Sequence, residues 1–259
     1  MAYPLEKASL DTRETLLTSA TQTHSADEPI NLEEHAGPVH LFVEWLMASL
    51  FPLVLGTVLY TAGWHLQANG WLWLIAVAIP LGFVLGDFVS GIVHWGADSY
   101  FHYNTPIIGA AFIKPFRVHH LFPKDICAHN LVSVVGNTCI LAVPLMFVCL
   151  YALWRDAVPT WLAAGIFLTG MMSGATVLTN LFHKWAHLAE KAPSFVKWMQ
   201  NKHLILPVDH HQVHHTAPHK RYYCITNGWV NPLLDRIQFF PHLENGLRRV
   251  GINTTIYNP

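Results

Sequence analysis

The pattern of hydrophobic positions along the chain consists of four long apolar stretches, separated by two short connections and by longer polar segments. The apolar stretches are residues 43–63, 71–94, 131–154 and 159–182. Each has about 20 residues, the length that an α-helix needs to cross the hydrocarbon core of a bilayer. The short connections, residues 64–70 and 155–158, join the stretches in pairs. The pattern therefore predicts an all-α integral membrane protein with four transmembrane helices in two hairpins.

The composition agrees with a membrane location. Only 12% of the 259 residues are charged, whereas soluble proteins average about 25%. The net charge is −1 and the chain has no long basic segment. Because nucleic-acid binding relies on clustered basic side chains, we expect no nucleic-acid partner.

The distribution of lysine and arginine predicts the orientation of the helices. Arg155 is the one basic residue in the two hairpin connections, and the other fourteen lie in the N-terminal tail, in residues 95–130 or after residue 182. Because basic residues are retained on the cytoplasmic side, these three segments are expected on that side, the latter two forming a cytosolic helical cap. The topology suits a bacterial inner membrane or an endoplasmic reticulum membrane.

The remaining segments differ in character. Residues 1–40 are polar and acidic, lack the features of a signal or transit peptide, and are expected to form a disordered tail. Residues 41–240 are predicted to form one membrane domain, followed by a C-terminal tail over residues 241–259. Residues 192–206 have an amphipathic pattern, which indicates a helix either in the membrane interface or packed on the cap.

Histidines are concentrated on the predicted cytoplasmic side. Thirteen of the 18 histidines lie between residues 94 and 219, many of them three or four residues apart. Side chains at these spacings share one face of a helix, and neutral imidazole is a common ligand of iron, zinc and copper. The candidate metal ligands are His94, His119, His120, His183, His187, His203, His210, His211, His214 and His215.

The number of imidazoles favours two metal ions. Ten candidates exceed the four ligands of one tetrahedral zinc ion, whereas two six-coordinate iron ions have room for eight or nine. The clusters contain no cysteine, which argues against copper(I) and iron–sulfur centres. A nitrogen-rich di-iron site at a membrane surface suits O2 activation and removal of hydrogen from an unactivated C–H bond.

Three other polar residues are candidates for catalytic roles. Asp98 is either a carboxylate ligand or a partner that orients an imidazole. Asp87 lies seven residues before His94, inside a predicted transmembrane helix, and is expected to orient an imidazole. Asn180 either holds a metal-bound water or forms a hydrogen bond between helices. His129 is either a ligand or a loop residue.

Motifs for nucleotide cofactors and for nucleophilic serine are absent from the sequence. There is no GxGxxG, P-loop or GxSxG pattern, and these patterns mark dinucleotide, phosphate and hydrolase sites. Electrons for O2 chemistry are therefore expected from a separate carrier protein.

Six segments resemble the Kua/CarF lipid desaturase family. Their residues and spacing are more similar to the plasmanylethanolamine desaturase branch of that family than to its plastid branch. The segments are DFVSGIVHWGAD at 87–98, FIKPFRVHH at 112–120, HKWAH at 183–187, HLILP at 203–207, HHQVHH at 210–215 and CITNGWVN at 224–231. They cover about residues 85 to 231.

The resemblance implies a reaction. A 1-O-alkyl phospholipid would be oxidised between C1′ and C2′ of its alkyl chain to a vinyl ether, with O2 as oxidant and cytochrome b5 or a ferredoxin-like protein as electron donor. It implies two iron ions near the headgroup level, an apolar channel for the tail and a polar pocket for phosphoethanolamine. Lys114, Arg117, Lys184 and Lys202 are candidate phosphate partners, or else solvated charges.

Three alternatives remain at this level. The same histidine spacing suits desaturation or hydroxylation of an acyl chain, a sterol or a carotenoid. A metal-binding membrane sensor without catalysis would need the same ligands. A zinc hydrolase would use Asp98 as its base and leave most of the other imidazoles idle.

Overall fold

The computed structural model describes residues 37–102, 104–106, 108–155 and 157–255. The disordered tail expected for residues 1–40 therefore lies almost entirely outside the described residues.

The described residues form α-helices and short helical turns, with no β-strand among them. The helices are α1 (Pro38–Ala68), α2 (Trp73–Ser99), α3 (Lys114–Leu121), α4 (Leu131–Leu153), α5 (Thr160–Leu188), α6 (Ser194–Asn201), α7 (Val208–His214), α8 (Asn231–Arg236) and α9 (Phe239–Arg249). Helices α1, α2, α4 and α5 are long and apolar enough to cross a membrane. The predicted all-α fold with four spans in two hairpins is confirmed, and the helices extend beyond four of the eight predicted limits.

Local sequence signals set where the long helices begin. Pro38 lies in the first turn of α1, where its missing N–H would have no partner in the helix. The side chain of Asn130 accepts a hydrogen bond from the Ser133 N–H at 3.1 Å and caps α4. Pro159, in an extended conformation, precedes α5. The hairpin connections are consequently only a few residues long.

Small residues allow α2 and α5 to pack closely. A β-carbon added at Gly82 would lie 2.4 Å from the β-carbon of Met171, and one added at Gly86 would lie 2.6 Å from that of Ala175. The two glycines are four residues apart and share one face of α2, an arrangement typical of close contacts between membrane helices. This contact fixes the relative position of the two helices that supply His94 and His183.

Substitution of Gly86 by alanine is expected to destabilise the bundle. The added methyl group forces α2 away from α5, and overpacking of this kind costs about 1–3 kcal/mol. Gly165→Ala is the matched control, because nothing lies within 4 Å of its added β-carbon and alanine favours helix. Thermal unfolding in detergent measures both variants, and equal melting temperatures would contradict the close contact.

The chain after α5 folds over the ends of α2 and α5 and forms the cap. One cluster of buried apolar side chains joins α5 and α6 to the following segment through Phe182, Val196, Leu206 and Ile225. Helix α6 buries Val196 but leaves Trp198 57% exposed. The amphipathic segment thus packs on the cap by one face and leaves an aromatic side chain on the other.

The C-terminal tail predicted after residue 240 is instead part of the same unit. Phe240 is buried against Trp95 and Tyr223, and the Thr255 N–H donates to the Ser99 carbonyl at 2.9 Å. The prediction was wrong because the apolar residues of α9 recur at helical spacing and cover the C-terminal end of α2.

Arg117 ties α3 to the C-terminal end of α2. Its buried guanidinium donates hydrogen bonds to the carbonyls of Ala97 at 3.0 Å, Tyr100 at 2.6 Å and Phe101 at 3.1 Å, and to the Thr255 hydroxyl at 2.9 Å. A cation at this position also stabilises the negative end of the helix dipole. The structure therefore gives Arg117 a structural role in place of the phosphate contact considered from the sequence.

Arg117→Met is expected to lower the free energy of unfolding by about 3 kcal/mol, because hydrogen bonds to a charged group contribute about 1.5–3 kcal/mol and buried carbonyls lose their donor. Chemical unfolding in detergent measures the change. Lys202→Met, at an exposed position, is the control and is expected to stay within about 0.5 kcal/mol of the wild type. An equally small change for Arg117→Met would exclude this role.

Candidate metal centre

Nine side chains from four helices and the residue after α7 meet at the cap end of the bundle. Helix α2 supplies His94 and Asp98, α3 supplies two consecutive histidines, α5 supplies two, and α7 with the next residue supplies three. Their ligand atoms form two groups, each with its atoms within 4.8 Å of one another. The first group is His119, His183, His187, His211 and His215, and the second group is His94, Asp98, His120 and His214.

The first group converges on the Nε2 atom of His187. This atom lies 2.9 Å from His119 Nε2, 3.1 Å from His183 Nε2 and 2.8 Å from His211 Nε2. One ring nitrogen carries either one proton or one lone pair and cannot form three hydrogen bonds to three similar atoms. Nitrogen ligands bound at ~2.1 Å to one ion lie about 3 Å apart. The geometry fits a shared metal ion.

The second group converges on the Oδ2 atom of Asp98. This oxygen lies 3.3 Å from His94 Nε2, 3.1 Å from His120 Nε2 and 3.7 Å from His214 Nε2. The Nδ1 of His94 donates to the Tyr223 carbonyl at 3.0 Å, and that of His214 to the Arg221 carbonyl at 2.9 Å. Each neutral ring therefore directs the lone pair of Nε2 at a carboxylate oxygen, an arrangement that a cation between them stabilises.

Burial keeps the imidazoles of the cap segments neutral. Burial, together with the neighbouring imidazoles, lowers the pKa of His120 to about 3, that of His214 to about 4 and that of His215 to about 2. The same two causes hold the pKa of His119 and His211 well below the usual value for histidine. Neutral imidazoles have lone pairs available for a metal.

Buried nitrogen atoms without a hydrogen-bond partner provide a separate test of whether the two groups suit metal ions. The Nε2 atoms of His94, His214 and His215 are buried and have no partner, whereas buried polar atoms in proteins are normally paired. The two groups also adjoin, since the rings of His120 and His215 are 5.4 Å apart. Eight imidazoles and one carboxylate, with no thiol in either group, are a donor set that suits iron.

The sequence model of the lipid desaturase domain matches residues 83–253. The chain belongs to this family. The matched region begins in α2 and includes every member of both groups, so the region that defines the family contains the whole candidate metal centre.

Several relatives carry desaturase names. The chain is 42% identical over 172 residues to a plasmanylethanolamine desaturase of Myxococcus xanthus, which covers 66% of this chain and 60% of the relative. It is 37% identical over 175 residues to plasmanylethanolamine desaturase 1 of Mus musculus, covering 66% and 64%. A chloroplastic fatty acid desaturase 4 of Arabidopsis thaliana is 30% identical over 174 residues, covering 65% and 50%. The chain thus matches less than two thirds of each of these relatives. No solved structure matches it.

Two predicted ligands of this lipid desaturase domain lie outside both groups. His203 is exposed, and its carbonyl accepts a hydrogen bond from Trp229 Nε1. His210 Nε2 lies 3.0 Å from Asn231 Nδ2. The i,i+4 spacing suggested both His210/His214 and His211/His215, but α7 turns only the face with His211 and His214 inward. Neither His203 nor His210 is part of the two ligand groups.

The three predicted catalytic residues have different surroundings. Asp98 belongs to the second group, which favours the carboxylate-ligand interpretation over that of a supporting residue. Asn180 Nδ2 donates to the Val134 carbonyl at 3.2 Å, which is the hydrogen bond between helices that was the alternative. Asp87 accepts hydrogen bonds from the backbone N–H groups of Thr226 and Asn227, so any influence on an imidazole would pass through this segment of backbone.

Some contacts of the site have no signal in the sequence. The carbonyls of Arg221 and Tyr223 hold two imidazoles, and a backbone acceptor leaves no mark on residue identity. His219, which is not among the candidate ligands named from the sequence, lies beside the second group. Its ring is 4.7 Å from that of His120, and its Nδ1 donates to the His214 carbonyl at 3.1 Å. His129 pairs instead with Asp125, at 3.1 Å.

Proposed function

We propose that this chain is a plasmanylethanolamine desaturase, an O2-dependent di-iron enzyme that introduces the 1′–2′ double bond of a vinyl ether into 1-O-alkyl phospholipids. The observation that carries the proposal is the pair of adjoining ligand groups, with buried Nε2 atoms that lack partners. The identities of 42% and 37% to relatives named plasmanylethanolamine desaturase support the substrate.

The two ligand groups support an assignment of the residues that would hold two iron ions. The five imidazoles of the first group would hold one ion, and three imidazoles with Asp98 would hold the other. Bound iron would supply the reduction of O2 and the removal of hydrogen from an unactivated C–H bond. The protein contributes fixed ligand geometry, because Tyr223 and Arg221 hold the rings of His94 and His214, and a buried environment that limits water.

The electron balance requires a partner protein. Conversion of the alkyl chain to the vinyl ether removes two hydrogen atoms, and reduction of O2 to two molecules of water needs four electrons. The substrate provides two of these electrons. The other two would come from cytochrome b5 or a ferredoxin-like protein, and two protons would come from solvent. An external donor agrees with the absence of a dinucleotide-binding motif from the sequence.

The depth of the site agrees with the position of the reacting carbons. His94 lies five residues before the end of α2 at Ser99, so it is within about 8 Å of the end of the helix. C1′ and C2′ of an ether lipid are next to the glycerol, near the headgroup level. The lysine and arginine distribution supports a location on the cytoplasmic face.

Expression in a host that makes 1-O-alkyl lipids but no plasmalogens tests the proposal. Mass spectrometry should detect vinyl ether lipids that require O2 and disappear in a His187→Ala variant. Absence of vinyl ethers from cells whose purified protein contains two iron ions would contradict the ether-lipid substrate and keep the di-iron centre. Protein without iron would contradict the proposed chemistry.

A second candidate function is desaturation of an acyl chain. The relatives named fatty acid desaturase, such as the Arabidopsis protein at 30% identity, favour it over a sterol or carotenoid substrate. Comparison of acyl unsaturation in the same lipid extracts separates the two candidates, since an acyl desaturase would change fatty acids and leave the ether chains saturated.

A further inference from the structure

A buried carboxylate in the middle of α2 holds a non-helical segment of the cap. Asp87 has no solvent exposure. Its Oδ1 atom accepts hydrogen bonds from the backbone N–H groups of Thr226 at 3.0 Å, Asn227 at 3.0 Å and Gly228 at 2.9 Å. Its Oδ2 atom accepts one from the Val230 N–H at 3.2 Å. Four backbone donors therefore converge on one side chain.

The segment of residues 222–231, the inserted segment, runs back along one face of α2. Beyond the contact at Asp87, the Ser90 hydroxyl accepts a hydrogen bond from the Ile225 N–H at 3.0 Å. A β-carbon at Gly91 would lie 2.3 Å from the Cys224 sulfur, and His94 donates to the Tyr223 carbonyl. Asp87 lies two helical turns before His94, so residues 226–230 reach about 10 Å deeper along α2 than the imidazole does.

The inserted segment is also held by a contact with α5 and by a hydrogen-bonded pair within the segment itself. The hydroxyl groups of Thr179 on α5 and Thr226 are 2.6 Å apart. The Asn231 side chain pairs with both the N–H and the carbonyl of Cys224, at 2.9 and 2.7 Å. Non-helical backbone at membrane depth is tolerated where other protein groups form hydrogen bonds with its N–H and carbonyl groups. Asp87 accepts hydrogen bonds from four of the five backbone N–H groups of residues 226–230.

The same stretch of chain orients the second group. The carbonyls of Tyr223, within the inserted segment, and Arg221, immediately before it, accept the Nδ1–H groups of His94 and His214. These two bonds determine which nitrogen of each ring faces Asp98. In the first group, by contrast, the rings contact one another through Nε2 atoms. A shift of the inserted segment would therefore disturb the second group before the first.

We propose that Asp87 is a positioning residue for the second group. By holding residues 226–230, its carboxylate fixes the carbonyls at 221 and 223, and through them the orientation of His94 and His214. The part of this proposal that concerns metal binding rests on the proposed function, whereas the anchoring of the inserted segment does not depend on it.

Hydrogen exchange of the metal-free protein tests the anchoring. Asp87→Asn keeps the side-chain size and one carbonyl oxygen but removes the charge and one acceptor. The amides of residues 226–230 should exchange at least about 10-fold faster, which corresponds to ~1.4 kcal/mol of lost protection. Unchanged exchange would overturn the proposal. If Asp87→Asn does not fold, Ser90→Ala removes the neighbouring contact with Ile225 and should increase exchange at that amide.

Cobalt(II) titration followed by absorption spectroscopy tests the effect on the second group. Wild type should bind two ions, and Asp87→Asn should weaken only one of them by about 10–100-fold, as loss of a supporting residue does. Thr176→Val is the matched control, because the Thr176 hydroxyl donates to the Met172 carbonyl within α5 at 2.9 Å and the substitution should leave both affinities unchanged. Equal weakening of both ions in Asp87→Asn, or no weakening, would overturn the positioning role. Wild type that binds fewer than two ions would contradict the proposed function, while the exchange result still decides the anchoring.

Discussion

His187→Ala is expected to abolish desaturation, with a fall of more than about 100-fold, which exceeds the usual cost of losing a residue outside the ligand set. The Nε2 atom of His187 lies within 3.1 Å of three other imidazole nitrogens, so it occupies the centre of the first group. Without it, the four remaining imidazoles of the group would be an incomplete set of ligands for the metal ion. Product formation in membranes and iron content of the purified protein measure the effect, and we expect one ion to be lost.

His203→Ala is the control for this experiment. His203 was also a predicted ligand, but its side chain is exposed and lies outside both groups. Activity within about twofold of wild type is expected, as for other surface substitutions. The assignment of the first group would be wrong if His187→Ala kept wild-type turnover, or if the two substitutions had equal effects.

Asp98→Asn is expected to have the second large effect. The amide keeps the size of the side chain but removes the negative charge that faces the Nε2 atoms of His94, His120 and His214. Neutralising a carboxylate that binds the metal should lower activity by more than about 100-fold. Neutralising a residue that only supports a ligand should lower it by about 10–100-fold. Iron analysis should show about one ion per chain in place of two.

Two further variants test whether the negative charge of Asp98 is responsible for the effect. Asp98→Glu keeps the charge and should retain more activity than Asp98→Asn. Asp209→Asn neutralises an exposed acid on α7, the helix that also supplies His214, and should have no more than the effect of a surface substitution. A loss of less than about 100-fold in Asp98→Asn would show that Asp98 is not a ligand.

Much of the fold could be predicted from the sequence, because the signals are local. A bilayer requires about 20 apolar residues for each helix, so the length of each apolar stretch determines a span. The spacing of His183 and His187 puts both on one face of α5 without any tertiary information. The boundary at residue 240 failed because the apolar residues of α9 were read as a tail, although Phe240 packs on Trp95.

The composition of each histidine group could not be predicted. His119 and His120 are neighbours in the sequence, yet they belong to different groups, because successive helical residues point about 100° apart and each ring meets a different helix. His210 and His211 are also neighbours, and only one of them faces the site. Spacing identifies the faces of a helix, and only packing decides which face is turned inward.

The sequence by itself determined the four helices, the end of the bundle at which the histidines gather, and the type of ligand available for metal. The tertiary structure decided the division into two groups, the place of Asp98 at the centre of one of them, and the attachment of residues 226–230 to Asp87. The physical reason is that the first set of properties depends on hydrophobicity and spacing within single helices. The second set depends on contacts between residues as many as 143 positions apart, which spacing within one helix does not specify.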